Sequence, residues 1–254
     1  VTGMGKVNSA MTLQAILMDD RFDFSSAYII STGCAGSAIE YGVMGDVFVI
    51  TATVDYDLGH HADARELTTD VETTWFHDES YDDASHKVLN QELCDKVYNL
   101  VKDVEIETTE KTRAFMAATF ENADWAVRDP KVLRGTTVTG DNYWKGQHGH
   151  ENALLMAETY ACPDPYALTE MEDNAMAVVL DRLGMLDRYI IIRDSVNTDV
   201  FMNGASPESL WDPNFVDSLA SESSVESADI FATAMKNNYT VGHVVVDAIL
   251  NGEL

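Results

Sequence analysis

The sequence predicts an α/β fold, formed as a single domain over residues 1–254. Segments with strand-like patterns alternate with segments of helical spacing along the whole chain. No internal repeat, low-complexity linker or shift in composition separates one part of the chain from another. A hydrophobic content of 46% in 254 residues also provides for a sizeable core. Together these three observations favour one globular α/β domain.

Charge and hydropathy exclude several classes of function. Forty-three acidic residues against sixteen basic ones give a net charge of −27, which repels nucleic acid and anionic lipid surfaces. No apolar run reaches the roughly eighteen residues that a membrane helix needs. The chain opens on Val-Thr-Gly-Met-Gly without a basic-then-apolar leader, so we expect a soluble protein, either cytoplasmic or exported with its leader absent. Cys34, Cys94 and Cys162 have no paired spacing and are interpreted as free thiols.

Residues 1–18 combine a glycine turn with a helix. Gly3 and Gly5 lack side chains, so the backbone at this turn can approach a ligand closely. The helix that follows is predicted to bury one side, formed by Val7, Met11, Ala15 and Met18. A turn that leads into a helix this early implies a preceding strand, which we expect to be missing from these 254 residues.

A second glycine-rich segment follows the first predicted strand. Residues 27–31 form an apolar strand, 32–37 read Thr-Gly-Cys-Ala-Gly-Ser, and 42–53 give one long strand or a pair of strands. The small residues at 32–37 predict a loop that either cradles a ligand or forms a tight turn with positive φ. Because both glycine segments are expected at the same edge of one sheet, we favour a binding site. Its candidate contacts are Thr32, Gly33 and Cys34.

The segment from residue 55 to residue 66 has the highest density of potential metal ligands, which are Asp55, Asp57, His60, His61, Asp63 and Glu66. Their spacing matches no zinc motif, so we interpret the segment as a solvated polar loop and predict no metal site. Residues 78–83 read as an acidic loop, and 88–104 and 111–118 as amphipathic helices that cover the sheet.

Two adjacent aromatic residues follow the next predicted strand. Residues 133–139 alternate in the manner of a strand and lead to Gly140 and Asp141, then to Tyr143 and Trp144. Asp141 can fix this loop while an aromatic ring stacks on a flat ligand, or the two rings can close an edge of the core. Residues 145–168 are interpreted as a helix and a proline-containing connection.

Glu172 stands where a core helix begins. Apolar residues recur at near-helical spacing from Met171 to Met185, so this helix is predicted to be buried. A carboxylate at such a position can be held by the free N–H groups of the helix start and can accept hydrogen bonds from ligand hydroxyls. The alternative is an acid that only caps its own helix.

A last buried strand is predicted late in the chain. Residues 188–193 contain the apolar run Tyr-Ile-Ile-Ile, and Asp-Ser-Val-Asn-Thr-Asp follows at 194–199. An open α/β sheet places its chemistry at such a strand end, although an ordinary polar loop has the same composition. Residues 206–224 are loop-like and acidic, and 228–249 form one or two helices.

Four motifs, in this order and spacing, resemble those of the nucleoside phosphorylase and nucleosidase superfamily. They are Thr-Gly-Met-Gly-Lys-Val-Asn-Ser-Ala at 2–10, Thr-Gly-Cys-Ala-Gly-Ser at 32–37, Thr-Gly-Asp-Asn-Tyr at 139–143 and Glu-Met-Glu-Asp-Asn-Ala at 170–175. Other features resemble its purine nucleoside permease branch, namely Asp-Ala-Arg-Glu at 63–66, Met-Glu-Asp-Asn-Ala at 171–175, Arg193 followed by Asn197 and Asp199, and Asn-Tyr-Thr-Val-Gly-His at 238–243. The similarity extends nearly from end to end.

The resemblance implies a three-layer α/β/α fold whose central mixed sheet partly closes, and which here lacks its first strands. It implies a purine nucleoside as the ligand, such as inosine, guanosine or adenosine. No cofactor is expected, and phosphate is a candidate co-substrate. Related folds assemble, so a homo-oligomer is expected by analogy.

The resemblance also implies which residues contact the sugar and the base. Met171 and Glu172 would hold the ribose, with the carboxylate of Glu172 on the 2′- and 3′-hydroxyls. Tyr143, and Trp144 with it, would flank the purine.

At the far edge of the base, Asn197, with Asp199 near it, would face N7 of the purine. An amide cannot donate a proton as a general acid, but it can hydrogen-bond the departing ring. The reaction would be cleavage or transfer at the N-glycosidic bond through an oxocarbenium-like state, with Glu172, Asn197 and Asp199 as the catalytic candidates.

Two questions stay open at the level of sequence. Phosphorylases of the superfamily carry an arginine just before the second glycine segment, where this chain has Ser31, and this difference favours water over phosphate as the nucleophile. The acid with which nucleosidases activate water would lie before residue 1. The permease name suggests instead a nucleoside-binding protein associated with transport, which keeps the pocket without turnover.

Overall fold

The computed structural model describes residues 1–69, 71, 73–200 and 225–254, with side chains in the last range from residue 229. The strands are β1 (Ile29–Ser37), β2 (Val47–Asp55), β3 (His60–His61), β4 (Trp75–Phe76), β5 (His86–Val88), β6 (Val132–Thr139), β7 (Tyr166–Glu170) and β8 (Tyr189–Thr198). The helices are α1 (Lys6–Leu17), α2 (Asp82–Ser85), α3 (Gln91–Val101), α4 (Glu110–Thr119), α5 (Gln147–Thr159), α6 (Asp173–Arg182) and α7 (Val225–Leu250).

Six of these strands form one mixed sheet with the order β5-β2-β6-β7-β1-β8. β2, β6 and β7 are parallel to one another, as are β1 and β8, whereas β1 is antiparallel to β7 and β5 to β2. β8 also returns to β2, where residues 192–194 pair antiparallel with residues 47–49. The sheet therefore closes in part on itself, and the expected mixed, partly closed α/β sheet is confirmed.

Helices cover both faces of the sheet. On β2, Phe48 and Ile50 pack with residues of α1 and α6, whereas Val47 and Val49 pack with residues of α3 and α7. All nine residues of β2 are buried, as expected for a strand covered on both sides. Burial of each such aliphatic or aromatic side chain contributes roughly 1.5–3 kcal/mol, so this alternation stabilises the three layers.

The predicted buried side of α1 is wrong. Val7, Met11 and Met18 are 66%, 67% and 67% exposed, and the buried residues of the helix are Ser9 and Leu13. Leu13 packs in the cluster that α6 forms with the sheet. Ser9 can be buried because its hydroxyl donates to the Lys6 carbonyl one turn earlier, at 3.0 Å. Apolar spacing alone therefore indicated the wrong side of this helix.

The predicted glycine loop at 32–37 is also wrong, because these residues continue β1. They pair in parallel with β8, and the register shifts between Ala35 and Gly36. Gly36 and Ser37 pair on the other edge with β7. Pairing with β8 along the whole segment, and with β7 at its end, provides backbone hydrogen bonds, and this tertiary context overrides the local preference of small residues for turns.

Two more strands differ from the prediction. β7 begins within the segment interpreted as a connection, because five residues after Pro165 are too few to show a strand pattern. β8 extends to Thr198 and therefore includes most of the polar cluster that was expected to follow the strand. β2 begins at Val47, after a turn around Gly45.

The predicted helices at 88–104, 111–118 and 228–249 correspond to α3, α4 and the single helix α7. The predicted loop at 206–224 lies outside the described residues.

Candidate functional site

A cavity of about 700 Å³ lies where β1, β7 and β8 meet the turn before α1. Its wall is formed by residues 1–4, 30–36, 142–144, 169–172, 176, 193 and 196–199. The size and the mixture of apolar and polar lining suit a small organic ligand.

The structure brings ten of the twelve predicted site residues to the wall of this cavity, namely Gly3, Thr32, Gly33, Cys34, Tyr143, Trp144, Met171, Glu172, Asn197 and Asp199. The other two stand directly behind it. The Gly5 N–H donates to Glu172 Oε1 at 3.0 Å, and Asp141 Oδ1 accepts from the Lys6 N–H at 2.8 Å. The start of α1 is thus held by two carboxylates that come from distant parts of the chain.

Glu172 is oriented by contacts on both of its oxygens. Oε1 accepts from the Gly5 N–H, and Oε2 accepts from Arg193 Nη2 at 3.2 Å. An ionised carboxylate has about four acceptor positions, so two stay available. The side chain is 16% exposed, at the cavity wall. This arrangement presents a fixed acceptor pair to a ligand that carries neighbouring hydroxyls.

The start of α6 is held by Glu170 rather than by Glu172. Glu170 Oε2 accepts from the backbone N–H groups of Glu172 and Asp173 at 2.6 and 2.8 Å, and Thr139 Oγ1 accepts from the Asn174 N–H at 2.9 Å. Glu172 occupies the N-cap position without a capping contact from its side chain. The helix N–H groups therefore do not hold Glu172, and Glu172 does not cap its own helix.

A buried ionic cluster lies directly behind Glu172. The guanidinium of Arg193 forms two parallel hydrogen bonds with Asp173, at 2.8 and 2.7 Å, and a longer one with Glu170 at 3.3 Å. Burial opposes the charge of Arg193, but Asp173 and Glu170 outweigh it and hold the Arg193 pKa well above its usual range. Ser31 joins the cluster, because its hydroxyl donates to Asp173 Oδ1 at 2.7 Å.

Sequence reasoning missed Glu170 and Asp173, and it quoted Arg193 only as part of a resemblance. A signal was present, since an arginine that ends an unbroken apolar strand must find buried acidic partners. Glu170 gave no comparable signal. Its role depends on the end of β7 facing the start of α6, which only the fold establishes.

Asn197 reaches the cavity across a gap left by a glycine. A Cβ added to Gly36 would lie 2.6 Å from Asn197 Oδ1, so the amide depends on the absence of a side chain there. Asn197 Nδ2 donates to the hydroxyl of Tyr143 at 3.2 Å. This contact joins the end of β8 to the loop after β6.

Asp199 lies at the wall with its carboxylate directed into the protein. Oδ1 accepts from the Ile39 N–H at 3.1 Å, and Oδ2 contacts His150 Nδ1 at 2.7 Å and the Tyr166 hydroxyl at 2.9 Å. Its side chain has no exposed surface. Burial, followed by the charge of Asp199, raises the Tyr166 pKa well above its usual range, so this hydroxyl stays neutral. These contacts make Asp199 an anchor of the wall.

Trp144 and Cys34 complete the apolar part of the wall. Trp144 stacks on Tyr56 with ring centroids 4.8 Å apart and planes 16° from parallel. Gly149 leaves room for the indole, because a Cβ there would lie 2.4 Å from the ring. Burial, and then the nearby Asp194, raise the pKa of the Cys34 thiol, which is therefore neutral at ordinary pH.

Asp55 and Asp57, from the segment with many potential metal ligands, form ion pairs next to the site. Lys6 Nζ lies 2.8 Å from Asp55 and 2.9 Å from Asp57. Asp57 also accepts from the Asp141 N–H at 2.6 Å and from Asn142 at 2.7 Å. This group joins the start of α1 to the loop that carries Tyr143. The other members of the segment point elsewhere, since His60 pairs with Asp78 and Asp63 with Arg65.

The motif at 238–243 supports the site through α7. Asn238 Nδ2 donates to Asp194 Oδ1 at 2.7 Å, and to the carbonyls of Gly33 and Ile192 at 3.2 and 3.3 Å. It therefore holds β1 and β8 together beside Arg193. Within the described residues Asp194 Oδ2 has no partner, and burial raises the Asp194 pKa to about 6.

No helix in the described ranges is both long enough and apolar enough to cross a bilayer.

Solved structures with the same fold include a nucleosidase and a hydrolase. A 5′-methylthioadenosine/S-adenosylhomocysteine nucleosidase of Neisseria meningitidis, in complex with methylthio-immucillin-A, matches 98% of this chain and 79% of its own at 17% identity, with a TM-score of 0.56. Futalosine hydrolase of Helicobacter pylori matches 97% of this chain and 77% of its own at 15% identity, with a TM-score of 0.54. At these identities the likeness shows the fold.

Two relatives are closer in sequence. The probable purine nucleoside permease of Schizosaccharomyces pombe is 27% identical over 273 aligned residues, which cover 98% of this chain and 74% of the relative. The purine nucleoside permease of Candida albicans is 26% identical over 215 aligned residues, 76% of this chain and about half (52%) of the relative. The family model for purine nucleoside permease (NUP) matches residues 1–253. This chain therefore belongs to the purine nucleoside permease family.

Proposed function

We propose that the cavity binds a purine nucleoside and that the protein cleaves its N-glycosidic bond, with transfer of the ribosyl group to water or phosphate. The observation that carries this proposal is the orientation of Glu172. Its carboxylate is fixed by Gly5 on one oxygen and by Arg193 on the other, and it keeps acceptor positions toward the cavity.

The ribose would lie against Glu172 and Met171. A carboxylate that accepts from both the 2′- and the 3′-hydroxyl recognises a cis-diol, and charge-assisted hydrogen bonds of this kind are stronger than neutral ones. Because Gly5 and Arg193 hold the carboxylate in advance, little ordering is needed when the sugar binds. Met171 adds apolar contact beside the sugar, at the cavity wall.

The purine would lie between the loop after β6 and the end of β8. Tyr143 and Trp144 offer aromatic surface at the wall, and Trp144 is held in place by its stacking on Tyr56. Asn197 faces the same space with an amide, which can hydrogen-bond the edge of a purine but cannot protonate it. The Gly33 and Cys34 backbone lies beside the ring, and Asp199 anchors the wall behind it.

The reaction breaks the bond between C1′ and the base nitrogen, and its electron pair leaves with the purine. Positive charge develops on the ribose ring oxygen and C1′, and Glu172 stabilises this charge from the hydroxyl side. The nucleophile then adds to C1′, and the purine takes up a proton from the solvent or from the nucleophile. Ser31 contacts Asp173 in this chain and brings no positive charge to the cavity, which favours water over phosphate.

The comparisons support this proposal independently of the cavity. Structures with the same fold include nucleosidases solved with methylthio-immucillin-A or with adenine bound. The relatives in sequence carry the name of purine nucleoside permease. Both groups of names concern purine nucleosides, although one implies cleavage and the other transport.

The transport name favours a second candidate, a nucleoside-binding component that does not turn over its ligand. Asn197 is the observation behind this alternative, because it cannot supply the proton that a departing purine needs. Both candidates use the same pocket, so binding alone does not separate them.

The deciding experiment is product analysis of inosine and adenosine incubated with the full-length protein, with and without phosphate. Free ribose in both conditions would establish a hydrolase, and ribose 1-phosphate formed only with phosphate would establish a phosphorylase. Tight nucleoside binding without release of the base would support the binding component instead. No binding of either nucleoside would contradict both candidates.

A further inference from the structure

Glu170 contacts both the backbone of Glu172 and the arginine that holds its carboxylate. Its side chain is only 1% exposed at the end of β7. Oε2 accepts from the backbone N–H groups of Glu172 and Asp173 at 2.6 and 2.8 Å, and from Arg193 Nη2 at 3.3 Å. One oxygen atom therefore fixes the backbone that carries Glu172 and also the guanidinium that contacts its carboxylate.

The other oxygen of Glu170, Oε1, contacts the hydroxyls of Thr137 and Thr139. These hydroxyls can accommodate Glu170 in either its ionised or its protonated state. Thr139 Oγ1 accepts from the Asn174 N–H and therefore donates its own hydrogen to Glu170 Oε1. Thr137 Oγ1 lies 3.1 Å from Oε1 and 3.5 Å from the Leu168 carbonyl. A proton on Oε1 can be donated to Thr137, whose own hydrogen then turns to Leu168. Both charge states of Glu170 thus fit the same positions of the heavy atoms.

The protonation of Glu170 changes the net charge of the cluster around it, in which acidic groups outnumber basic ones. One guanidinium, that of Arg193, faces the carboxylates of Glu170, Glu172 and Asp173. The cluster carries two net negative charges when all three acids are ionised, and one when Glu170 is protonated. Burial, and then the charge of Asp173, raise the Glu170 pKa to about 7.

The remaining titratable groups near this cluster come from β8 and β1, since β6 supplies only hydroxyls. The Tyr189 hydroxyl lies 3.5 Å from Asp173 Oδ1, and burial raises the Tyr189 pKa well above its usual range. The Cys34 carbonyl accepts from Arg193 Nη1 at 3.2 Å, and the Cys34 thiol stays neutral. Asp194, the residue after Arg193 on β8, has a pKa raised to about 6, but its carboxylate contacts Asn238 of α7. Among the groups that contact this cluster, Glu170 is therefore the one placed to change its charge near neutral pH.

We propose that Glu170 is a positioning residue that acts through Glu172: its buried carboxylate fixes the first turn of α6 and Arg193, and it adds the second negative charge behind the ribose. This role rests on the proposed function. A neutral nucleoside in the ground state is little affected by a buried charge, whereas the positive charge that develops on the ribose is stabilised by it. Glu170 therefore acts on kcat and leaves KM nearly unchanged.

The test is the pH dependence of kcat and KM for a cleaved nucleoside, measured on the full-length protein from about pH 5.5 to about pH 8.5. The wild-type kcat should fall as the pH drops below about 7, while KM stays within about twofold. Glu170→Gln keeps the shape of the side chain and removes the charge, so its kcat should be about tenfold lower at high pH and flat across this range.

Asp194→Asn is the matched control. Asp194 is also a buried acid with a raised pKa, but its carboxylate contacts Asn238 and not the cluster around Glu172. The kcat of the Asp194→Asn protein should still fall as the pH drops below about 7, whatever its absolute value, because Glu170 keeps its carboxylate in this protein. Infrared difference spectra between about pH 6 and about pH 8 provide a second readout, because Glu170→Gln should lose one of the protonated-carboxyl bands of the wild type and Asp194→Asn should lose a different one.

The outcomes separate this role from the proposed function. Product formation with the same pH profile in the wild type and Glu170→Gln would overturn the role of Glu170 and leave the proposed function intact. A change confined to KM would overturn it as well. No product from the wild type at any pH would contradict the proposed function and the role of Glu170 together.

Discussion

Glu172 takes its orientation from residues that are distant along the chain. Gly5 and Arg193 lie 167 and 21 positions away, and each contacts a different oxygen of its carboxylate. Neither contact uses the helix that Glu172 precedes, because Glu170 already holds the N–H groups of that helix. At the scale of single residues, the candidate site is thus built from contacts that no local pattern encodes.

Replacement of Glu172 by Gln should reduce kcat/KM about 10- to 150-fold, which corresponds to the loss of roughly 1.5–3 kcal/mol from charge-assisted hydrogen bonds to the ribose hydroxyls. Steady-state kinetics with the preferred nucleoside measure this loss. Glu92→Gln is the control, because Glu92 is 80% exposed on α3 and should leave kcat/KM unchanged. An unchanged kcat/KM in Glu172→Gln would remove Glu172 from the site.

Gly36→Ala should displace Asn197 without unfolding the protein. The added Cβ would lie 2.6 Å from Asn197 Oδ1, which is the movable end of a side chain, and 3.4 Å from Thr169. We expect kcat/KM to fall about tenfold, because the amide must leave its position at the purine edge. Kinetics together with the thermal unfolding midpoint measure both effects.

Gly242→Ala is the matched glycine control for that experiment. A Cβ at Gly242, inside α7, would meet none of the described atoms within 4 Å, so the substitution should leave activity unchanged. It should also raise the free energy of unfolding by about 0.5–1 kcal/mol, since alanine is favoured over glycine in a helix interior. Equal losses of activity in both variants would show that Gly36 has no specific role at Asn197.

At the scale of elements, the sequence predicted the alternation of strands and helices and the strands that are apolar throughout. β2 and the first half of β8 were found because both faces are buried, which gives unbroken apolar runs. The end of β1 was missed because its residues are small where they line the cavity, and β7 was missed because five residues are too few to show a strand pattern. Sheet pairing and not local composition makes both of them strands.

In the candidate site, too, some residues could be predicted from the sequence and others could not. Ten predicted residues lie at one cavity because the ends of neighbouring strands meet at the same edge of a sheet. The buried partners of Glu172 could not be predicted, because Glu170, Asp173 and Arg193 come together only once β7, α6 and β8 are packed. The side of α1 that is buried was likewise decided by the packing of Leu13.

The ion pair between Lys6 of α1 and Asp55 of β2 gives a prediction at the scale of elements. Lys6→Met should destabilise the fold by about 2–4 kcal/mol, because Asp55, with a side chain 9% exposed, would lose the cation that compensates its charge. Lys6→Met combined with Asp55→Asn should cost less than the sum of the two single changes. Urea unfolding measures all three proteins.

Lys96→Met serves as the reference for this cycle. Lys96 pairs with Glu92 on the surface of α3, and both side chains are more than half exposed, so its loss should cost less than about 1 kcal/mol. Strict additivity of the Lys6 and Asp55 changes would contradict a direct coupling between α1 and β2.

For the whole molecule, two electrostatic effects both lower the stability of the fold as the pH rises. A net charge of −27 produces repulsion that weakens as the pH approaches the isoelectric point near 4.3. Burial raises the pKa of Glu170 from 4.5 to about 7 and that of Asp194 from 3.8 to about 6. An acid with a raised pKa binds its proton more tightly in the folded protein, so its stabilising effect is present at low pH and is lost as the pH rises through about 6–7.

Salt separates these two effects, since it screens the repulsion between surface charges but hardly changes the cost of burying a carboxylate. In about 1 M NaCl, the wild-type Tm should still be about 3–6 °C higher near pH 5.5 than near pH 8, as expected if one or two kcal/mol of stability depends on these two protons.

The protein with both Glu170→Gln and Asp194→Asn should be more stable than the wild type near pH 8, because it carries neutral groups at both positions. The difference in Tm between the two proteins should be smaller near pH 5 than near pH 8, because both wild-type acids are mostly protonated in the folded protein near pH 5. Parallel curves of Tm against pH would show instead that surface repulsion alone produces the dependence, and that Glu170 carries its charge throughout this range.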